Sequence, residues 1–375
     1  MFYNITKPMA NRISVFSLAY QPFVGGAEIA VKEISDRLGD FQFSVFTHKF
    51  NKDWREYEKN GSTEIFRLTP ASFAEKIAYV FKAWLAAEKE HRKAPFRAIW
   101  GVMAAYAGFA ALLFKIRHPK IPFILTLQEG DTEDHILKRV GILYPFWQMV
   151  FKKADRIQVI SNYLADFARR HGATCPIEVV PNGADVTRAS VIKKPRKSGK
   201  NRSKVVITTS RLVRKNGVDT ILAAANLLKT KAEFWILGEG PERSLLELQA
   251  AGLNVKFLGH VEPSEVLPYL AGADVFARPS RSEGLGNSFL EAMSVGLPII
   301  GTPVGGIPDF LKDGETGLFV KVEDPKDLAQ KIDLLLTDKK LHGKLSRNGK
   351  KLVSSKYSWD KIAGDMGAIF ASSIK

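Results

Sequence analysis

Two carboxylates and the short turn between them are the most chemically loaded part of the chain. Arg281-Ser282-Glu283-Gly284-Leu285-Gly286-Asn287-Ser288-Phe289-Leu290-Glu291 follows an apolar run and enters a helical period. Gly284 and Gly286 let the backbone approach a ligand closely. Asn287 or Ser288 can cap the helix start, and free N–H groups at such a start suit a phosphate. Glu283 stands before the turn and Glu291 about one turn into the helix, so one carboxylate can hold sugar hydroxyls and the other a ribose. Two such Glu by themselves describe any acidic strand-to-helix loop. The Gly, Gly, Asn and Ser between them turn the pattern toward a site.

Arg211 and Lys215 supply positive charge at a second strand–loop–helix start. A fixed guanidinium and a nearby ammonium suit a diphosphate, although Arg214 shows that this loop also carries a solvated cation. Gly25 and Gly26 follow the first apolar run; the pair either permits φ > 0 with N–H groups turned to an anion, or makes a tight turn. Gln128, Glu129 and Asp131 end another run and are candidate contacts for an acceptor hydroxyl, or a solvated acidic loop. Gln128 can donate or accept but cannot act as a base near pH 7. His260 is a lone histidine after a strand. Gly238-Glu239-Gly240 lacks the third glycine of a dinucleotide fingerprint. No Asp-x-Asp triplet occurs, so no bound metal is expected. The single cysteine, Cys175, excludes a disulfide framework and a Cys-rich zinc site.

These residues sit at the ends of short apolar runs that alternate with helical periods. The runs lie at 13–20, 43–47, 64–68, 97–102, 122–127, 156–160 and 177–180, and again at 205–209, 233–237, 255–258, 274–277 and 298–301. Alternation of this kind predicts an α/β fold with parallel sheets. Pro181-Asn182-Gly183-Ala184-Asp185 is a turn, and 187–203 is polar, basic and without apolar period. The expected organisation is a first domain at 1–186, a basic interdomain loop at 187–203, a second domain at 204–355, and a helix at 356–375 that returns to the first. Two doubly wound halves facing a cleft would place ligands beyond the carboxyl ends of the strands.

The segment 283–291 resembles the E-x7-E motif of retaining glycosyltransferases with the GT-B fold, most closely glycosyltransferase family 4. Gly25-Gly26-Ala27-Glu28, Pro181-Asn182-Gly183-Ala184-Asp185, Ser210-Arg211-Leu212 through Asn216-Gly217-Val218-Asp219, Gly238-Glu239-Gly240-Pro241, Gly259-His260-Val261, Thr302-Pro303-Val304-Gly305-Gly306 and Gly314-Glu315-Thr316-Gly317 resemble that family's other segments, in order. The resemblance runs from about residue 13 to 335. It implies transfer of a sugar from a nucleotide-diphosphate donor to a hydroxyl, without a metal. It implies that Glu283, Arg211 and Lys215 serve the reaction. It assigns the donor to Gly25, Gly26, Arg211, Lys215, His260, Glu283, Gly284, Leu285, Gly286, Asn287, Ser288 and Glu291. Two departures stand out: Asn216 occupies the place where the family often has Lys before Gly, and Gln128 a place where many relatives carry His. A sugar-nucleotide epimerase and a basic nucleic-acid binder are the competing readings. The aromatics are not interleaved with a basic stripe, which argues against nucleic acid.

The chain has 375 residues and a net charge of +16. The charge is uneven: +7 over 1–190, +6 over 191–203 and +3 over 204–375. The excess therefore points to an anionic acceptor or membrane surface rather than to the donor half. The uncharged run Ala98–Phe114 is too short for a bilayer span and reads as a strand end and a buried helix. Lys138, Arg139, Tyr144, Phe146, Trp147, Phe151, Lys152 and Lys153 form either an amphipathic core helix or an interfacial one. The start MFYNITKPMANR lacks a secretory pattern. A cytoplasmic protein at the inner face of the cell membrane, acting on a lipid-linked or cell-surface glycan precursor, is expected.

Overall fold

The computed structural model describes residues 11–23, 25–68, 73–192 and 203–374. The chain forms two compact units. One comprises Met1–Glu129, Glu133–Asn182 and Asp360–Lys375; the other comprises Gly130–Thr132 and Gly183–Trp359.

The first unit is built on eight strands: β1 (Asn11–Phe16), β2 (Phe41–Thr47), β3 (Tyr57–Asn60), β4 (Thr63–Arg67), β5 (Ala98–Val102), β6 (Phe123–Leu127), β7 (Arg156–Val159) and β8 (Ile177–Val179). Their order is β3-β4-β2-β1-β5-β6-β7-β8. β5 and β6 are buried at every position, as parallel strands covered on both faces must be. β3 and β4 are the antiparallel exception, with Asn60 opposite Thr63. Gly61, at φ +57, turns this hairpin. Apolar periodicity misses β3 because Tyr57-Glu58-Lys59-Asn60 is a polar edge strand. Sheet order reverses between β1 and β5, the switch point where doubly wound sheets bind ligands. The last helix, Trp359–Ser373, sets Phe370 against Phe41, Phe43 and Trp100, with ring centroids 5.8, 6.0 and 5.1 Å away.

The second unit has six strands, all parallel: β9 (Lys204–Thr209), β10 (Ala232–Leu237), β11 (Val255–Gly259), β12 (Val275–Arg278), β13 (Ile299–Gly301) and β14 (Leu318–Phe319). The order is β11-β10-β9-β12-β13-β14, so its switch point lies between β9 and β12. Val206, Ile221, Phe234, Val275, Ile300, Leu328 and Ile332 share one core cluster. Leu212, Val218, Leu222, Ile236 and Leu246 form another.

The region 187–203 is not loop throughout. Val186–Val191 is a helix, started by Asp185, whose carboxylate accepts from the Arg188 N–H at 2.9 Å. Six of the seven basic residues of the expected loop, Lys193 to Arg202, lie outside the described residues. The run Ala98–Phe114 resolves into β5 and the helix Tyr106–Arg117. Among the described residues no helix is long and apolar enough to cross a membrane.

The aromatic and basic cluster near 144–153 is a core helix. Trp147, Val150 and Phe151 are buried there, with the Trp147 and Phe151 rings 4.7 Å apart. The exposed apolar stripe of this unit lies instead on the helix Phe73–Lys93. Ile77, Phe81 and Leu85, one turn apart, are 52%, 53% and 58% exposed.

Candidate functional site

The site of the second unit forms where β9 and β12 end. Beyond β9 the chain passes Ser210–Val213, makes a single 3-10 turn at Arg214–Asn216 and enters the helix Val218–Ala225. Gly217 joins turn to helix at φ +71, and a Cβ there would lie 2.1 Å from the Pro279 carbonyl oxygen. That contact presses the β9 loop onto the β12 exit. Asn216 is buried, and its side-chain amide donates to the Arg211 carbonyl at 2.6 Å. The Arg211 side chain is exposed and has no hydrogen-bond or ion-pair partner among the described residues. Lys215 is engaged: Nζ donates to the Gly130 carbonyl at 2.9 Å and to Asp131 at 2.8 Å.

The β12 exit carries the acidic turn. Arg278, the last residue of β12, is 9% exposed. Its guanidinium donates to Ser288 Oγ at 2.7 Å, to Asn216 Oδ1 at 3.0 Å, and to the Glu283 carboxylate. The other carboxylate oxygen of Glu283 accepts from the Gly284 N–H at 3.1 Å. Position 130 marks where these groups converge: a Cβ there would be 3.4 Å from both Lys215 Nζ and Gly284 N, and 3.7 Å from Glu283 Oε1. An ammonium, a peptide donor and a carboxylate thus share a few ångströms. Behind them, the Gly306 N–H donates to the Glu283 carbonyl at 3.3 Å. Arg281 grips Asp219 with both terminal nitrogens, at 2.9 and 2.7 Å, and ties the turn to the β9 loop.

Gly286 begins the helix Asn287–Ser294 at φ +95, and no side chain caps it. The expectation that Asn287 or Ser288 caps the helix is therefore corrected; Ser288 Oγ is spent on Arg278. Leu285 points into the core and offers the site only its backbone. Glu291 is partly buried just past the first turn, where burial pushes its carboxyl up to about 7 and nearby Arg278 partly opposes this. The sign is definite. The folded carboxyl keeps its proton to higher pH than the unfolded one, so stability falls as pH rises from about 4.5 to 7. Glu291→Gln should remove that fall, on the order of 2 kcal/mol, in urea melts compared at pH 5 and 8. Equal pH dependence in the two proteins would refute the assignment.

The remaining candidates separate. His260 is exposed, 3.4 Å from Glu262. Gly238 and Gly240 are packing glycines; Cβ atoms there would lie 2.0 Å from the Ser210 carbonyl oxygen and 2.2 Å from that of Leu212. In the first unit Gly25 is extended, at φ −150, so the positive-φ reading of this pair is corrected. A Cβ at 25 would be 2.3 Å from a Glu28 carboxylate oxygen, the movable end of a side chain, so space does not by itself require glycine there. Gln128 accepts from the Asn182 side chain at 2.9 Å. Glu129 is buried, not a solvated loop residue; it accepts from the Ala104 N–H at 3.0 Å, and burial raises its pKa. Asp131 holds Lys215. Among the described residues no cluster of His, Cys, Asp or Glu could hold a metal.

Composition and spacing miss two features. One is Arg278, legible only as a charge at the end of a run that must be buried, hence one that needs partners. The other is a cavity of about 300 Å³ at the β1/β5 switch point, lined by Ser17, Leu18, Glu28, Lys76, Tyr106 and Arg139 among others.

Residues 24–188 match the family described as Glycosyltransferase Family 4, and residues 190–352 that described as Glycosyl transferases group 1. An uncharacterized glycosyltransferase of Methanocaldococcus jannaschii is 26% identical over 347 residues, 91% of this chain and 93% of that one. A GDP-mannose-dependent monoacylated alpha-(1-6)-phosphatidylinositol monomannoside mannosyltransferase of Corynebacterium glutamicum is 31% identical over 228 residues, 56% of this chain and 60% of that one. The fold is that of a sucrose-phosphate synthase from Thermosynechococcus elongatus, with TM-score 0.81 and 20% identity over 96% of this chain and 98% of that one. Matched in both halves, the chain belongs to the family 4-type glycosyltransferases of the GT-B fold.

Proposed function

We propose that the protein moves a sugar, with retention, from a nucleotide-diphosphate donor to a hydroxyl of a lipid-linked or cell-surface glycan precursor. The observation that carries this reading is the unpartnered Arg211 guanidinium on the same loop as Lys215, whose ammonium converges with Gly284 N–H and Glu283. Arg211, Lys215 and the N–H groups from Gly286 to Ser288 would hold the diphosphate, Glu283 the sugar hydroxyls and Glu291 the ribose. The acceptor oxygen bonds to the anomeric carbon on the face the phosphate leaves; the carbon–phosphate oxygen bond breaks, and the leaving phosphate takes the hydroxyl proton. The protein's part is positioning and charge stabilisation, with no essential metal. The mannosyltransferase relative, by its name, uses a nucleotide sugar and a phosphoinositide acceptor. The cavity lined by Glu28, Lys76 and Arg139 would take the acceptor.

The test is nucleoside diphosphate release from UDP-, GDP- and ADP-sugars. Arg211→Ala should lower kcat/KM for the active donor about a hundredfold while the melting temperature stays unchanged. Turnover of none of these donors, or wild-type turnover by the variant, would sink the reading.

The same proposal includes an anionic membrane surface at the inner face of the cell membrane. Ile77, Phe81 and Leu85 stand in a row on a helix whose exposed Lys82, Lys89 and Arg92 make no ion pair among the described residues. An apolar stripe flanked by unpaired cations suits an anionic bilayer. Ile77→Ser/Phe81→Ser/Leu85→Ser should leave the floating fraction in an anionic-vesicle flotation assay, with donor hydrolysis in solution unchanged. Flotation equal to wild type would overturn the assignment of that stripe.

A further inference from the structure

Position 216 is where the family resemblance calls for a lysine, and this chain has asparagine there. The loop after β9 therefore offers a diphosphate Arg211 and Lys215 but no cation at 216, and Lys215 divides its donors with Gly130 and Asp131. The missing charge stands directly opposite. Arg278 enters from β12, and its guanidinium meets Asn216 Oδ1 at 3.0 Å. A guanidinium buried this far is costly unless its donors are used. Two of its nitrogens are used, on Asn216, Ser288 and Glu283, while Nε is buried without a partner. Ser288 is the second residue of the uncapped helix that starts at Asn287, an end suited to an anion. The hydroxyls of Thr209, Ser210 and Ser280, at the exits of the two switch-point strands, are likewise buried without partners. A charged group and several unspent donors thus surround the place where β9 and β12 end.

We infer that Arg278 is a further cation of the donor site, delivering to the diphosphate from β12 the charge that a lysine at 216 would deliver from the loop. This rests on the nucleotide-diphosphate reading above. Asn216 then serves as the guanidinium's anchor, which explains why the two unusual residues touch across 62 positions of sequence.

The experiment measures calorimetric affinity for UDP, GDP and ADP and for the matching nucleosides, alongside thermal melts. Arg278→Met should weaken the bound diphosphate at least tenfold and leave the nucleoside unchanged. Asn216→Lys/Arg278→Met, which moves the cation back to the loop, should recover most of that loss. Arg278→Gln replaces the charge by a shorter neutral amide; it is a second variant in case Arg278→Met fails to fold, and should lose diphosphate affinity like Arg278→Met. Full diphosphate affinity in Arg278→Gln, equal weakening of nucleoside and diphosphate, or a folded double variant no better than the single one would each overturn the inference. A wild type that binds none of the three diphosphates would instead remove the premise, an outcome seen before any variant is made.

Discussion

Glu283→Gln should abolish nearly all sugar transfer, a loss of a hundredfold or more in kcat, with only a few degrees lost from the melting temperature. The reasoning follows the two carboxylate oxygens. One accepts from Gly284 N–H and the other from Arg278. A glutamine preserves one acceptor oxygen and the side-chain shape, so the turn holds. It loses the negative charge and one acceptor, and with them the proposed grip on donor-sugar hydroxyls as positive charge develops on the anomeric carbon. A loss of one such preorganised group typically costs two to three orders of magnitude. Glu283→Ala would be the poorer experiment. It strands a buried guanidinium, a defect worth about 3–5 kcal/mol, and mixes folding with chemistry. Stopped nucleoside diphosphate release with retained diphosphate binding is the expected pair of measurements. Wild-type kcat in Glu283→Gln would remove this residue from the reaction.

A second large effect is expected at a residue without a side chain. Gly305 has φ +53, and a Cβ there would sit 1.7 Å from the Glu283 carbonyl oxygen. Gly305→Ala therefore cannot be accommodated without pushing the Glu283 backbone out of place. The left-handed conformation alone costs about 1 kcal/mol for alanine, and displacement of a packed backbone adds about 1–3 kcal/mol. We expect the melting temperature to fall by roughly 5–10 °C and transfer to fall with it. Gly314→Ala is the control: φ is +67, yet nothing lies within 4 Å. It should show the small conformational cost and keep its activity. Matching melting curves for the two variants would mean that the carbonyl contact is relieved without consequence.

The shape of each half was legible in the chain. Strands 205–209, 233–237, 255–258, 274–277 and 298–301 fall within a residue or two of β9 to β13, because strands buried on both faces must be continuous apolar runs. Elements that break this rule were not legible. β3 is an edge strand with polar side chains, and the helix Val186–Val191 is short and carries no apolar period. The acidic turn was legible for a related reason: glycines at 284 and 286 and carboxylates at 283 and 291 are local features of one loop and one helix.

Sequence by itself determined two doubly wound halves, the acidic turn after β12 and the basic loop after β9. Only the tertiary structure decided what these groups do to one another. It turned Glu129 inward to Ala104 N–H, occupied Lys215 with Asp131, left the Arg211 side chain without a partner among the described residues, and brought Arg278 to Asn216 and Glu283. Spacing along a chain reports neighbours within a turn or a strand. Hydrogen-bond partners across a sheet switch point are set by which strands lie side by side, and a buried charge takes whichever acceptor that arrangement provides.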